Sequence, residues 1–259
     1  MRIEAVTVCV NFADFLARTL PTVRPQVDAM AVVTATFDAD TARLAAAHDC
    51  NVLATDAFYR GDAFNKGRAL EEFFASGVFE LGGWVLVVDA DIALPPTARA
   101  VIERLVLHPD TLYGASRLAC STPADWDRIG VEHGTWHVDH MKPFPARAEL
   151  AGFFHLFRPG AMPRPWYPTD WGHAGGYDSV FERRWPKGRK ERLPIAAVHL
   201  GDHRENWFGR LTPRWDGGDC GGPGEARIRE AGLHYTQTRK DGLRALDAKE
   251  GRLCDEEAI

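Results

Sequence analysis

At 259 residues, 45% hydrophobic and 26% charged, the chain is long enough for one α/β domain with a full core and a modest appendage. A formal net charge of −5 gives no global basic field to recruit nucleic acid. The five cysteines, Cys9, Cys50, Cys120, Cys220 and Cys254, are odd in number and form no C-x-x-C pair, which points to reduced thiols in a cytoplasmic setting. The opening stretch MRIEAVTVCV carries Glu4 and is too charged for a signal peptide, and no apolar run approaches the roughly 20 residues of a membrane helix.

In chain order, residues 5–10 are rich in β-branched residues and read as a buried strand. Helical periodicity follows and is expected to end at Pro21. Residues 29–35 give a second strand, 38–49 a helix capped by Asp or Thr, and NVLATD a third short strand. Residues 63–77 form an amphipathic helix closed by Gly77. The strand WVLVVDAD comes next, then the helix PTARAVIERLVLH with proline in its first turn. This alternation predicts a mostly parallel sheet covered by helices on both faces. TLYGASRLA reads as a strand, but 121–176 is crowded with Trp, His, Pro and Gly and reads as substrate-contacting loops. A short helix over 177–185, a late strand over 192–201, a Gly-rich link over 216–224 and a charged helical tail complete the chain. The expected division is a main domain over 1–215, split at about 110 into nucleotide-binding and acceptor-binding halves, and a tail over 216–259.

The strongest chemical signal is WVLVVDADIALPP, residues 84–96. Four apolar residues run into Asp89 and Asp91, which the period of a strand points the same way. Two carboxylates so close repel unless a positive group sits between them, and a hard divalent cation with phosphate oxygens is the commonest such guest. Carboxyl ends of strands are where open α/β sheets bind ligands. In the alternative, one Asp merely caps the following helix.

This segment resembles the D-x-D of GT-A-fold glycosyltransferases of the family-2 type, in which the pair holds Mn²⁺ or Mg²⁺ against the diphosphate of a nucleotide sugar. The resemblance covers roughly residues 3 to 210 and implies a Rossmann-like GT-A sheet and hexosyl transfer from a nucleotide-sugar donor, most simply a UDP-sugar. VCVNFADFLARTLPTV is similar to the opening strand and loop that cradle the base, placing Val10, Asn11 and Phe12 near it. VVTATFDADT resembles the second strand, whose trailing Asp38 would contact base or ribose. FNKGRAL resembles the segment that approaches the nucleotide, with Lys66 and Arg68 serving the diphosphate; Asn65 reads equally as an N-cap. WGHAGGYDSVFERRW is similar to the Trp-Gly-Gly and acidic segment of galactosyltransferase-like members. That likeness implies Asp178 as the base and Trp171, Gly175, Gly176 and Tyr177 as acceptor contacts. The family usually has two adjacent acidic residues where this chain has Tyr177-Asp178-Ser179, so Asp178 also reads as a helix-start residue. VHLGDHRENWFGR matches a late strand carrying a metal-binding His, which makes His199 the third ligand, His203 the second choice, and Asn206, Trp207 and Arg210 a lid over the donor. In the implied mechanism Asp91 and His199 hold the metal while Asp89 bridges metal and ribose.

HGTWHVDH gathers His133, His137, Asp139 and His140, but Gly134 and the β-branched flanks argue against a zinc site on a helix. The cations Arg183, Arg184, Lys187, Arg189, Lys190 and Arg192 read either as a solvated loop or as contacts to a nucleic-acid backbone. The expected acceptor is therefore a saccharide, with a hydroxymethylated base in DNA as the alternative. Three rivals remain. A sugar-nucleotide pyrophosphorylase would need a Gly-rich basic loop that NFADFLARTL lacks. A haloacid-dehalogenase-type phosphatase normally has Thr or Val where Ala93 stands. A non-catalytic carbohydrate- or nucleic-acid-binding module would use the eight Trp residues as stacking platforms.

Overall fold

The structure, a computed structural model, describes residues 1–60, 64–132, 135–143, 150, 152–170, 177–201, 210 and 212–218. The chain divides into a unit spanning Met1–Cys220 and a remainder, Gly221–Ile259, which lies outside the described residues together with the expected helical tail. No helix among the described residues is long and apolar enough to cross a membrane.

The first half alternates as the sequence predicts: β1 (Ile3–Val8), α1 (Ala13–Val23), β2 (Ala29–Thr34), α2 (Ala39–Ala47), β3 (Asn51–Ala54), α3 (Lys66–Ala75) and β4 (Trp84–Val88). β5 (Ile92–Ala93), α4 (Ala98–Arg104) and β6 (Leu112–Cys120) follow. β1, β2, β3 and β4 are joined by parallel pairings in the order β3-β2-β1-β4. The capping chemistry is local. Asp38 accepts from the Thr41 amide and starts α2, Asn65 accepts from the Arg68 amide and starts α3, and Gly77, at φ 75°, ends α3 in the left-handed region. Pro21 does not end α1, which runs on to Val23. Burial of Leu16, Leu20 and Val23 against the sheet outweighs the single backbone bond that the proline removes.

The region expected to be loops holds α5 (Pro123–Asp127), β7 (Gly130–Glu132), β8 (Thr135–His137), β9 (Lys142–Pro143) and β10 (Phe154–Phe157), before α6 (Tyr177–Arg183) and β11 (Lys190–Leu200). β10 is the principal addition. It lies in the middle of the sheet, antiparallel to both β4 and β6, and makes the sheet mixed in the order β3-β2-β1-β4-β10-β6-β11-β5, with β9 paired to β6. Its four residues are all buried, so no polar alternation marks them as a strand. β11 runs parallel to β6, and its end pairs antiparallel with β5. The main core lies between β1, β4, β10 and the helices, and a second apolar cluster gathers Phe15, Ala93, Cys120, Met141, Val198 and Leu200 at the β5–β11 end.

Candidate active site

The turn after β4 is pinned from several sides. The Thr19 hydroxyl on α1 donates to the Ala90 carbonyl at 2.7 Å, and the Leu94 amide donates to Thr22 Oγ1 at 3.1 Å. The Asp89 amide donates to the Phe153 carbonyl ahead of β10, and the Leu200 amide donates to the Asp91 carbonyl at 2.8 Å. Pairing of His199 with Ile92 across β11 and β5 then brings His199 Nε2 to 3.5 Å from Asp91 Oδ2. The sheet thus joins two of the expected metal ligands that lie more than a hundred positions apart in the chain.

Asp89 is placed otherwise. Lys66, at the first position of α3 and almost completely buried, puts Nζ 2.5 Å from Asp89 Oδ1 and 3.8 Å from Asp178 Oδ1. The positive group that the carboxylate pair requires is therefore, for Asp89, a lysine of the chain itself. Burial alone would lower the Lys66 pKa, but the charges of Asp89 and Asp178 more than offset it, so the ammonium is held charged. Lys66 also lies over the Tyr177 ring at 5.2 Å. Asp91 is raised to about 7, first by burial and then by the charge of Asp89. Asp178 is also raised to about 7, first by burial, with Asp89 adding to it and Lys66 opposing it. His199 is lowered to about 3 by burial and by Arg117, which keeps the imidazole neutral at physiological pH.

Metal binding can be tested on these residues. Among the described residues no three His, Cys, Asp or Glu side chains form a metal-holding group, so the expected three-ligand set of Asp89, Asp91 and His199 is not assembled. The physical reason is that Asp89 faces Lys66. Asp91 and His199 remain as a two-residue carboxylate–imidazole pair. Asp91 Oδ1 is buried without a hydrogen-bond partner among the described residues, a costly arrangement that a bound cation would relieve. Oxygen and imidazole donors suit Mn²⁺, and phosphate oxygens and water would fill the remaining positions.

The expected donor residues divide. Asn11, at φ 62°, donates its backbone N–H to Asp38 Oδ2, and the same carboxylate accepts from Thr34 and from the Thr41 amide. Asp38 is thus a buried cap that ties the β1 loop to α2. Val10 is buried. Phe12 is half-buried, with the Arg210 guanidinium 4.8 Å from its ring centroid. Arg210 is not a phosphate-neutralising lid residue. Its side chain is buried, and all its N–H groups are engaged by the Asp14 carboxylate and by the carbonyls of Asn11, Thr212 and Pro213. Arg68 reaches the Arg60 and Thr169 carbonyls. Trp207 lies outside the described residues, as do His203 and Asn206.

On the acceptor side, Trp171, Gly175 and Gly176 also lie outside the described residues, as does His133. Tyr177 is fully buried rather than presented to an acceptor, and stacks on Tyr167, which stacks on Phe181. Two features escaped the sequence reading. A Cβ at Gly152 would stand inside the carboxylate of Asp178, so only glycine lets that carboxylate lie against the backbone. Arg117 on β6 lies with its guanidinium 5.0 Å from the Phe153 ring centroid, and its charge acts on Asp91, Asp178 and His199. An arginine, the one charged residue on the strand, was the available signal. α3 also holds the segment leading to residue 171: Glu71 accepts from the Trp166 and Tyr167 amides, and Asn65 Nδ2 donates to the Thr169 carbonyl. Of the basic cluster, Arg184 donates to the Pro163, Pro165 and Trp166 carbonyls, Arg189 pairs with Asp110 and Lys190 with Glu182.

No protein-family model matches the chain, and no curated protein matches it by sequence. Solved structures do match. Glucosyl-3-phosphoglycerate synthase from Mycobacterium tuberculosis, solved with Mn²⁺, UDP-glucose and phosphoglyceric acid, aligns with TM-score 0.49 and 15% identity over 78% of this chain and 72% of its own. Mannosyl-3-phosphoglycerate synthase from Rubrobacter xylanophilus aligns over 100% of this chain and 78% of its own, with TM-score 0.54 and 18% identity. The chain therefore has the Rossmann-like GT-A fold of the mannosyl-3-phosphoglycerate synthase.

Proposed function

We propose that the protein is a metal-dependent glycosyltransferase that moves a sugar from a nucleoside-diphosphate sugar, most simply a UDP-sugar, to an acceptor hydroxyl. The observation that carries this reading is the Asp91–His199 pair, 3.5 Å apart where the β4 turn meets the end of β11, with a buried and unpartnered Asp91 oxygen. Asp91 and His199 would hold Mn²⁺ or Mg²⁺, which, when bound, neutralises charge developing on the departing diphosphate. Lys66 adds a fixed positive charge beside Asp89 and engages one oxygen of that carboxylate. Asp178, raised to about 7, suits a base that takes the acceptor proton on a carboxylate oxygen near neutral pH. Gly152 and Lys66 set its position.

For the acceptor, we favour a small hydroxyl compound over duplex DNA. Arg184, Arg189 and Lys190, which a phosphate backbone would need, are taken up by the protein. The charge of Arg117 beside Asp178 favours an acceptor that carries its own negative group, the class to which the phosphoglycerate named for the structural neighbour belongs. Calorimetry of UDP and GDP with and without Mn²⁺, followed by transfer from labelled UDP- and GDP-sugars to neutral saccharides and to phosphorylated hydroxy acids, tests both statements. Nucleotide binding indifferent to Mn²⁺ would remove the donor reading, and transfer only to neutral saccharides would remove the anionic acceptor.

A further inference from the structure

We infer that Phe37 is the stacking platform for the donor's nucleobase, an assignment that rests on the donor reading above. Among the described residues, Phe37 is the one aromatic side chain in the set of exposed large hydrophobic residues, with 38% of its surface open. A single exposed apolar side chain is ordinary by itself, so the assignment needs a positional reason.

Its place in the fold supplies one. Phe37 follows β2 at the carboxyl edge of the parallel strands, where α/β sheets bind ligands. β2 lies two strands from β4 in the order β2-β1-β4, a lateral step of about 10 Å at normal strand spacing. A ribose bridges such a gap between a base at β2 and a diphosphate at the β4 turn. Of the residues that the sequence offered for the base, Asp38 is taken up by Asn11, Thr34 and Thr41, Val10 by the core, the Asn11 backbone by Asp38 and Arg210, and one face of the half-buried Phe12 ring by the Arg210 guanidinium. What the edge presents instead is the Phe37 ring.

The ring is held ready. The Asp38 amide donates to the Ala35 carbonyl, the Thr36 hydroxyl donates to Asp56, and the Asp38 carboxylate is locked as a cap, so the backbone on both sides of Phe37 is fixed. Tyr59 braces the ring at 5.9 Å and a 32° tilt, and Tyr59 packs in turn on Phe58 and Phe64. A preorganised aromatic face stacks a base without losing side-chain freedom on binding, and stacking tolerates any base because each has a π-face. Phe37 therefore contributes affinity, and base choice must come from other groups.

The test measures Mn²⁺-dependent binding of UDP and, separately, of inorganic pyrophosphate to the wild-type chain, Phe37→Ala and Phe37→Trp. The expected result is that Phe37→Ala weakens UDP binding by about tenfold or more, leaves pyrophosphate binding and the ligand-free melting temperature unchanged, and that Phe37→Trp restores UDP affinity. Equal UDP affinity in Phe37→Ala and wild type overturns the platform while leaving the donor reading standing. A parallel loss of pyrophosphate affinity also overturns it, because the residue would then act through the diphosphate site. Absence of UDP binding to the wild-type chain overturns the donor reading and this inference together.

Discussion

Lys66 Nζ stands 2.5 Å from a carboxylate oxygen of Asp89 and 3.8 Å from one of Asp178, so one buried ammonium joins the first acid of the D-x-D to the acid at the start of α6. The two carboxylates come from separate elements, β4 and α6, and the lysine comes from a third, α3. Removing the cation leaves two acids facing each other in a partly desolvated cleft. Lys66→Met should therefore lower unfolding free energy by about 2–4 kcal/mol, the lower part of this range reflecting the partial exposure of both acids. Urea denaturation measures it. Restoration by a second change, Asp89→Asn, would identify charge rather than packing as the cause, and an unchanged midpoint in Lys66→Met would show that the triad contributes nothing.

The pH dependence has a definite sign. Asp91 and Asp178 are raised from 3.8 to about 7 in the folded chain, chiefly by burial. Between about pH 4 and 7 the folded state binds more protons than the unfolded state, so without metal the stability these groups confer is full below pH 4 and lost as pH rises through 7. The slope for one such group is at most about 1.4 kcal/mol per pH unit. A bound cation must displace a proton from Asp91, so Mn²⁺ affinity should rise with pH and level off above 7 while His199 stays neutral throughout. The rise in melting temperature that Mn²⁺ produces should therefore be larger at pH 8 than at pH 5.5. A rise no larger at pH 8 would contradict the assignment.

Gly152 tests the geometry of Asp178. Adding a methyl group in Gly152→Ala forces the carboxylate aside, at a cost of about 1–3 kcal/mol in stability and a larger loss of transfer than of UDP affinity. In an Asp178→Gly background the same substitution should cost little stability, because both the Cβ and the carboxylate that it would overlap are gone. A double-mutant cycle gives the coupling directly. Additive effects would mean that the two residues do not constrain each other.

If Asp178 takes the acceptor proton, Asp178→Asn should lower kcat on the order of 10²–10⁴-fold and leave Mn²⁺–UDP affinity within about twofold of wild type, since the proton transfer and the donor site are separate contributions. Near-normal transfer by that variant would return Asp178 to the role of a helix-start residue, which its position in the first turn of α6 also permits.

The sequence by itself determined what depends on neighbours within a few positions. The strands β1, β2 and β4 follow from runs of β-branched and apolar residues, the caps of α2 and α3 from Asp38 and Asn65, the end of α3 from Gly77, and the D-x-D from acids that terminate an apolar strand. The expectation for His199 came from the same kind of signal, because it follows the apolar run over 195–198 near the end of β11. Only the tertiary structure decided what depends on residues far apart in sequence. β10 is three apolar residues and a buried histidine, His155, whose central place exists because β4 and β6 leave a gap of one strand between them. Asp89 and Lys66 are 23 positions apart, and Asp14 and Arg210 are 196 apart. Each pairing moved a residue from its expected partner, diphosphate or metal, to one inside the chain. A charged side chain in sequence declares only its sign. Which opposite charge it meets is fixed by how strands and helices pack, since desolvation lets a buried ion persist only where that packing supplies a counter-charge.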